Sequence, residues 1–518
     1  MKRAQLFPAR AGVLGVALAA LIGCGGDKHP EPTTPPVPPV EKTPQEACDD
    51  LAGKTIGDAT LSSATLVAAA GPVGEHCKVA GVIGASTLKF EVTLPTEWNK
   101  KLLYAGGGGW DGMLPGPPIS PSGSTAGYVT VGSNGGHDDP TGAVFLNNPE
   151  VQEAFGSLSI HAVLTAVKLI VEERYGSGAE KHYFEGCSNG GREALIQATR
   201  FPEDFDGIVV RAPAYSFTEL LLAFHNNMKH MVGTPGGAIS TAKAGVIADA
   251  VLKQCDELDG LADGIVSNVD ACAFDPAGLL CAAGDADDCL TSEQVNTAKA
   301  IYSELKLSDG TPVYPGWGPG GEADPVGWPA WLIGDAMTPP IQLFFAESLI
   351  RYWLVKDASY DSLMFNPEKY LPQIEETAKI LDATPDLSAF FARKGKMILV
   401  HGTADWAISY KASIKYWNDV AAAVGGGAAR DESMELFLQP GVQHCFGGVG
   451  PDTVDLVDAV TKWVEEGKRP SSGNLVSSKL DASGKVAYQR PLCPYPTYPR
   501  YDGSGDKTVA ASYTCANP

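Results

Sequence analysis

Phe184-Glu185-Gly186-Cys187-Ser188-Asn189-Gly190-Gly191-Arg192-Glu193 is the stretch whose reading decides the fold. A short apolar run, 182–184, enters Gly-Cys-Ser-Asn-Gly, and residues 193–201 then read as a helix. A strand turning sharply into a helix, with small residues flanking the serine, is the Gly-x-Ser-x-Gly elbow, which leaves the hydroxyl exposed on a strained turn. In a chain of 59 glycines the pattern alone is weakly specific, so its strand–turn–helix setting carries the weight. The bland alternative is a serine in an ordinary tight turn.

Upstream, the clearest strand signal is Leu88, Phe90, Val92 and Leu94 alternating with polar residues, inside a β-rich region spanning 48–94. Residues 102–105 read as a buried strand that runs into Gly106-Gly107-Gly108-Gly109-Trp110. A glycine run after a strand lets the backbone approach a ligand, and here it is a candidate source of an oxyanion-binding N–H. Residues 128–131 form another strand, and apolar spacing over 154–170 predicts a helix before the elbow strand. Gly207-Ile208-Val209-Val210 is the next strand. Strands alternating with helices predict an α/β fold with a mostly parallel sheet covered on both faces.

The alternation stops between about 215 and 385. That segment holds helical pieces, acidic loops, four cysteines and Trp317, Trp328, Trp331 and Trp353, and it resumes the βα rhythm only at Met397-Ile398-Leu399-Val400-His401-Gly402. It reads as a lid domain inserted over the carboxyl edge of the sheet, dividing the catalytic domain into 47–214 and 386–518. Residues 435–438 form a further strand and 454–464 a closing helix. In α/β hydrolases the catalytic groups follow the order Ser, Asp or Glu, His. Asp405 lies just beyond the resumed strand, and His444 follows the next one. His444 would take the Ser188 proton while Asp405 orients its imidazole. His401, the rival base, sits at a strand end and reads as a buried structural histidine.

Cys187 precedes the serine and Cys445 follows His444. If the two catalytic side chains meet, their neighbours fall within disulfide range, and the bond closes a loop of about 258 residues. The chain-entropy account assigns such a closure on the order of 5 kcal/mol, less any strain. Ten cysteines remain when Cys24 is set aside, an even number fitting five disulfides in an exported chain, and no Cys-x-x-Cys pair indicates zinc.

Cys187-Ser188, Asp405 and His444-Cys445 resemble the CS-D-HC signature of the tannase and feruloyl esterase family, and the likeness covers nearly all of 48–515. The resemblance implies an α/β-hydrolase fold with a large inserted lid. It implies the further pairs Cys48–Cys77, Cys255–Cys272, Cys281–Cys289 and Cys493–Cys515, out of 105 pairings that spacing leaves open. The oxyanion hole would use the N–H groups of Asn189 and of Gly108 or Gly109. Three carboxylates at close spacing in 255–265 suit a hard cation. There the resemblance implies a structural Ca²⁺ held by the side chains of Asp256, Asp259 and Asp263 and the carbonyls of Leu261 and Ile265. The bland alternative is a solvated acidic turn.

Lys2, Arg3 and Arg10 precede the apolar run 11–22, which is too short to span a bilayer and fits a signal peptide. Its end, Leu21-Ile22-Gly23-Cys24, resembles a lipobox. That implies a lipoprotein signal of residues 1–23, acylation at Cys24 and membrane contact only through this anchor, at an outer membrane or cell surface. Residues 24–46 follow as a tether, with seven prolines between 30 and 44. No other stretch reads as long and apolar enough to cross a membrane. A net charge of −22 argues against nucleic-acid partners.

The expected activity is therefore that of a serine carboxylesterase acting on small aromatic esters through an acyl-enzyme. Alternatives are a terephthalate monoester hydrolase or other small-ester hydrolase, a peptidase on the same scaffold, and a non-catalytic Ca²⁺-stabilised surface binding protein.

Overall fold

Ten strands form the central sheet: β1 (Thr55–Ile56), β2 (Ala59–Val67), β3 (His76–Ile83), β4 (Lys89–Pro95), β5 (Lys101–Ala105), β6 (Val129–Ser133), β7 (Lys181–Cys187), β8 (Gly207–Arg211), and, after a two-stranded hairpin of β9 (Leu305–Lys306) and β10 (Pro312–Tyr314), β11 (Lys396–Gly402) and β12 (Met434–Gln439). Their spatial order is β1-β2-β3-β4-β6-β5-β7-β8-β11-β12. This computed structural model describes residues 42–85 and 87–518. The signal peptide, Cys24 and nearly all of the proline-rich tether lie outside the described residues.

From β6 to β12 the neighbours run parallel, whereas β1 to β4 are antiparallel and β4 joins β6 antiparallel. The sheet is thus mixed, with the expected parallel half extended by an antiparallel wing. Burial explains the difference. β8 is buried at every position, as a strand covered on both faces must be, while β4 alternates buried Phe90, Val92 and Leu94 with more exposed partners. Successive residues of β11 divide between two cores. Met397 and Leu399 join the larger one, while Ile398 and Val400 pack with Leu456, Val457, Val460 and Trp463 of the helix Leu456–Glu466 on the opposite face.

Two boundaries depart from the sequence reading. The β-rich wing opens on a helix, Pro44–Asp49, that contains Cys48 and begins inside the expected tether. Thr43 and Glu46 cap it reciprocally, the Thr-x-x-Glu signature of a helix start. The helix expected over 154–170 begins as an α-helix only at Ser159, after a π turn over Ala154–Leu158. The Phe155 and Gly156 carbonyls in that turn accept hydrogen bonds from Arg192 instead of completing a regular ladder. By length and composition Pro149–Tyr175 is also apolar enough to cross a membrane, contrary to the sequence reading, but most of it is buried against the sheet as a core element.

Residues Thr43–Pro518 form one compact unit, so the insertion 215–385 is built into the catalytic unit and is not a free-standing domain. Its first helix, Phe217–Met231, is packed on another insertion helix, Ile341–Ser348, and its end returns to the elbow. Thr218 donates to Asp382 through its backbone N–H (2.9 Å) and its hydroxyl, and Arg192 of the elbow helix donates to the Leu381 carbonyl (3.2 Å). The chain closes with two small antiparallel pairs, β13 (Val476–Leu480) with β14 (Val486–Pro491) and β15 (Tyr498–Tyr501) with β16 (Tyr513–Ala516).

Candidate active site

Strand β7 delivers Ser188 to the end of the parallel half, and the helix Asn189–Arg200 starts at the next residue. Ser188 has φ 63° and ψ −123°, a left-handed conformation that a non-glycine residue holds only when its surroundings over-determine it. They do so here. Its N–H donates to the Arg211 carbonyl (3.1 Å), and its own carbonyl accepts from Arg192 and Ala214. Glycine is needed on both sides: a Cβ on Gly186 would lie 2.3 Å from the Gly190 carbonyl oxygen, and one on Gly190 would lie 2.7 Å from that of Gly107. Beneath the elbow Glu185 and Arg211, both buried, form a 3.0 Å ion pair that Ser120 completes.

Asp405 and His444 meet as the sequence requires. The His444 Nδ1 lies 2.8 Å from Asp405 Oδ2, and the other carboxylate oxygen accepts the N–H groups of Ala407 (2.8 Å) and Ile408 (2.9 Å). Burial by itself would raise the proton affinity of Asp405. The charge of His444 and hydrogen bonds from both histidines instead hold it well below the ordinary carboxylate range. His401 is buried, as expected, yet it is no bystander. Its Nε2 is 3.2 Å from Asp405 Oδ2 and 2.9 Å from the Ile408 carbonyl, and its Nδ1 is 2.7 Å from the Ser413 hydroxyl. His401 thus backs Asp405, while the Ser413 hydroxyl and the Ile408 carbonyl hold its ring. The sequence signal, a histidine four residues before the acid, gave no hint of this contact.

Cys187 and Cys445 are bonded with their Cα atoms 6.0 Å apart, which ties the elbow to the histidine loop. The other four disulfides are Cys48–Cys77, Cys255–Cys272, Cys281–Cys289 and Cys493–Cys515. The Ser188 hydroxyl has no hydrogen-bond partner among the described residues. It faces an apolar crevice of about 20 Å³ lined by Gly109, Phe217, Phe224, Trp331, Phe345 and Ile408 among others. Trp331 also stands edge-on to His444, with ring centroids 5.5 Å apart. Of the four insertion tryptophans it alone lines the crevice. Trp317, Trp328 and Trp353 are buried in the core, while the lining phenylalanines carry no motif that sequence could single out. A larger cavity, about 580 Å³, lies instead over the antiparallel wing near Glu75, Glu91 and Pro115, and is not lined by Ser188, Asp405 or His444.

Gly108 and Gly109 differ in what their N–H groups meet. The Gly108 N–H donates to Asp111 Oδ1 (3.0 Å), which counts against that candidate. The N–H groups of Gly109 and Asn189 donate to no protein acceptor among the described residues, and Gly109 shares the crevice with Ser188. Arg351 forms two bonds with Glu347 (3.0 and 3.2 Å) and one with the Tyr360 carbonyl, a local ion pair outside the crevice.

The acidic loop follows the helix Thr241–Cys255. Asp256 accepts the Gly264 N–H (2.9 Å), Asp259 accepts that of Leu261 (3.0 Å), and Asp263 accepts that of Ile265 (3.1 Å) as well as Arg490 Nη2 (2.6 Å). Burial pushes the Asp259 carboxyl up to about 6, with Asp263 and Asp256 adding to the shift. Its donors are all oxygens, which fits a hard cation. Among the described residues, however, no three His, Cys, Asp or Glu side chains are gathered as a metal's ligand set, and Arg490 already neutralises Asp263.

A strained serine at a strand–helix elbow, an Asp–His pair tied to that elbow by the Cys187–Cys445 bond, and Gly109 in the serine's crevice define a serine hydrolase on the α/β-hydrolase scaffold. Residues 73–516 match the profile of the family described as tannase and feruloyl esterase, and the chain belongs to that family as a carboxylic ester hydrolase. It is 32% identical to the mono(2-hydroxyethyl) terephthalate hydrolase of Piscinibacter sakaiensis over 88% of this chain and 87% of that protein. It is 34% identical to a probable feruloyl esterase of Arthroderma benhamiae over 82% of this chain and 81% of that one. Among solved structures, feruloyl esterase B from Aspergillus oryzae superposes with a TM-score of 0.82 at 27% identity, covering 92% of this chain and all of its own. The tannin acyl hydrolase of Aspergillus niger, at 21% identity and a TM-score of 0.73 over 92% of this chain and 95% of its own, shares the fold.

Proposed function

We propose that this esterase hydrolyses esters of aromatic acids, with Ser188 as nucleophile, His444 as general base and acid, and Asp405 as the group that orients His444. Ser188 attacks the ester carbonyl as His444 takes its proton. The N–H groups of Gly109 and Asn189 receive the oxyanion, and His444 then protonates the departing alcohol. Water, activated by the same imidazole, releases the acid. The observation carrying this reading is the 2.8 Å contact between His444 and Asp405 on a loop bonded through Cys445 to the residue before Ser188.

The acyl preference rests on the crevice, whose Phe217, Phe224, Trp331 and Phe345 favour a flat ring, and on the substrates in the relatives' names. A terephthalate monoester brings a carboxylate, and no cationic side chain lines the crevice, so feruloyl- and galloyl-type esters rank above it. Turnover of methyl ferulate, methyl gallate, a terephthalate monoester and a peptide anilide tests the order, with Ser188→Ala as blank. Hydrolysis of the anilide alone, or of no ester, contradicts it.

We also infer that the acidic loop binds Ca²⁺ through Asp256, Asp259 and Asp263 with the Leu261 and Ile265 carbonyls. Its support is the all-oxygen donor set and the buried Asp259, and its role would be to order an insertion with little regular core. Five disulfides fit an oxidising compartment. The basic start and the apolar run ending at Cys24 support a lipid-anchored, exported protein. Membrane-bound activity that Cys24→Ala fails to release would contradict the anchor.

A further inference from the structure

Two acids lie under the oxyanion-binding backbone and take no part in the triad. Asp111 and Glu193 are both buried, one at the end of the glycine loop and the other one turn into the elbow helix. Each accepts one loop N–H: Glu193 Oε2 from Gly107 (2.9 Å) and Asp111 Oδ1 from Gly108 (3.0 Å). Each also accepts from the side-chain amide of Asn189, at 3.1 and 3.0 Å. Arg192 Nε donates to the oxygen of that amide (2.7 Å) and so fixes which end faces the acids. A direct backbone bond, Gly190 N–H to the Gly107 carbonyl (3.1 Å), completes the junction. Asp111 has φ 56°, a left-handed backbone that aspartate tolerates better than most residues.

We propose that Asp111 and Glu193 are positioning residues for the oxyanion hole: they bind the glycine loop to the elbow helix so that the Gly109 and Asn189 N–H groups converge beside Ser188. This inference rests on the esterase reading above. Burial, and after it the charge of Glu193 and a hydrogen bond with it, push Asp111 well above the ordinary carboxyl range. The groups facing the pair are the Arg192 guanidinium, the Asn189 amide and the Tyr104 phenol, which burial keeps protonated; Asp382 acts on it through Arg192.

The test compares steady-state kinetics of the wild type, Asp111→Ala, Asp111→Asn and Glu193→Gln on one ester from pH 6 to 10, with melting temperatures measured alongside. Misplacing one oxyanion donor lowers the rate without removing ground-state contacts. Asp111→Ala therefore loses roughly 10- to 100-fold in kcat while KM changes by less than about threefold. Asn keeps a side-chain oxygen for the Gly108 N–H and an N–H group that can donate to Glu193, so Asp111→Asn recovers most of that loss. Glu193→Gln sets an amide N–H against the Gly107 N–H or the Asn189 amide, both donors, and loses rate as Asp111→Ala does. Asp111→Ala with kcat within twofold of wild type, a loss in melting temperature alone, or Asp111→Asn as slow as Asp111→Ala overturns the inference. A wild type that hydrolyses no ester instead overturns the esterase reading and this inference with it.

Discussion

Ser188 is held at φ 63° because the Arg211 carbonyl, the Ala214 N–H and two glycines leave it no other course. A strained residue fixed by its surroundings survives removal of its side chain, so Ser188→Ala should fold normally while kcat falls by about 10⁴- to 10⁶-fold. Asp405→Asn should lower kcat by about 10²- to 10⁴-fold, since it removes the acceptor that fixes the His444 tautomer. Steady-state turnover with unchanged circular dichroism checks both; Asp405→Asn within tenfold of wild type would contradict the assigned role. At this scale the Asp405–His444 contact and the Cys187–Cys445 bond were legible, because the Ser, Asp and His candidates sit at fixed points of a known chain order and carry flanking cysteines. His401 and Asp111 were not. Their contacts are local, to Asp405 four residues on and to the Gly108 N–H three residues back, but they depend on how each loop turns, which residue spacing does not encode.

Among elements, the junction between the insertion and the elbow helix carries a pH-sensitive group. Asp382 closes the insertion, accepts from Thr218 and is pushed up to about 7, chiefly by burial. Its unfolded value is about 3.9, so between about pH 4 and 7 the native state binds more protons than the unfolded chain. This group therefore contributes a stability that falls as pH rises through that window, by a few kcal/mol at most. Asp382→Asn should flatten the decline, measured as urea midpoints from pH 4.5 to 7.5; an unchanged slope would contradict the account. The central strands were legible as continuous apolar runs. The π turn over Ala154–Leu158 was not, because apolar periodicity continues through it while Arg192, distant in sequence, captures its carbonyls.

Across the whole molecule, residues 43–518 form one unit in which sheet and insertion share a core. The sequence showed where the βα rhythm stopped, but a break in rhythm cannot reveal whether the inserted segment has a core of its own. One shared core predicts one cooperative thermal transition. If the acidic loop takes Ca²⁺, chelation with EGTA should lower that transition by several degrees, added Ca²⁺ should restore it, and Asp256→Asn should remove the response. A melting temperature indifferent to both would remove calcium from the account.

The most direct measurement of the central claim, that Ser188 is a nucleophile clamped against its base, is covalent labelling by a fluorophosphonate followed by peptide mass spectrometry under non-reducing conditions. The account predicts a single adduct on Ser188, within a peptide bonded from Cys187 to the Cys445 peptide, and none in Ser188→Ala. Labelling at another serine, or Cys187 found free or bonded elsewhere, would contradict it.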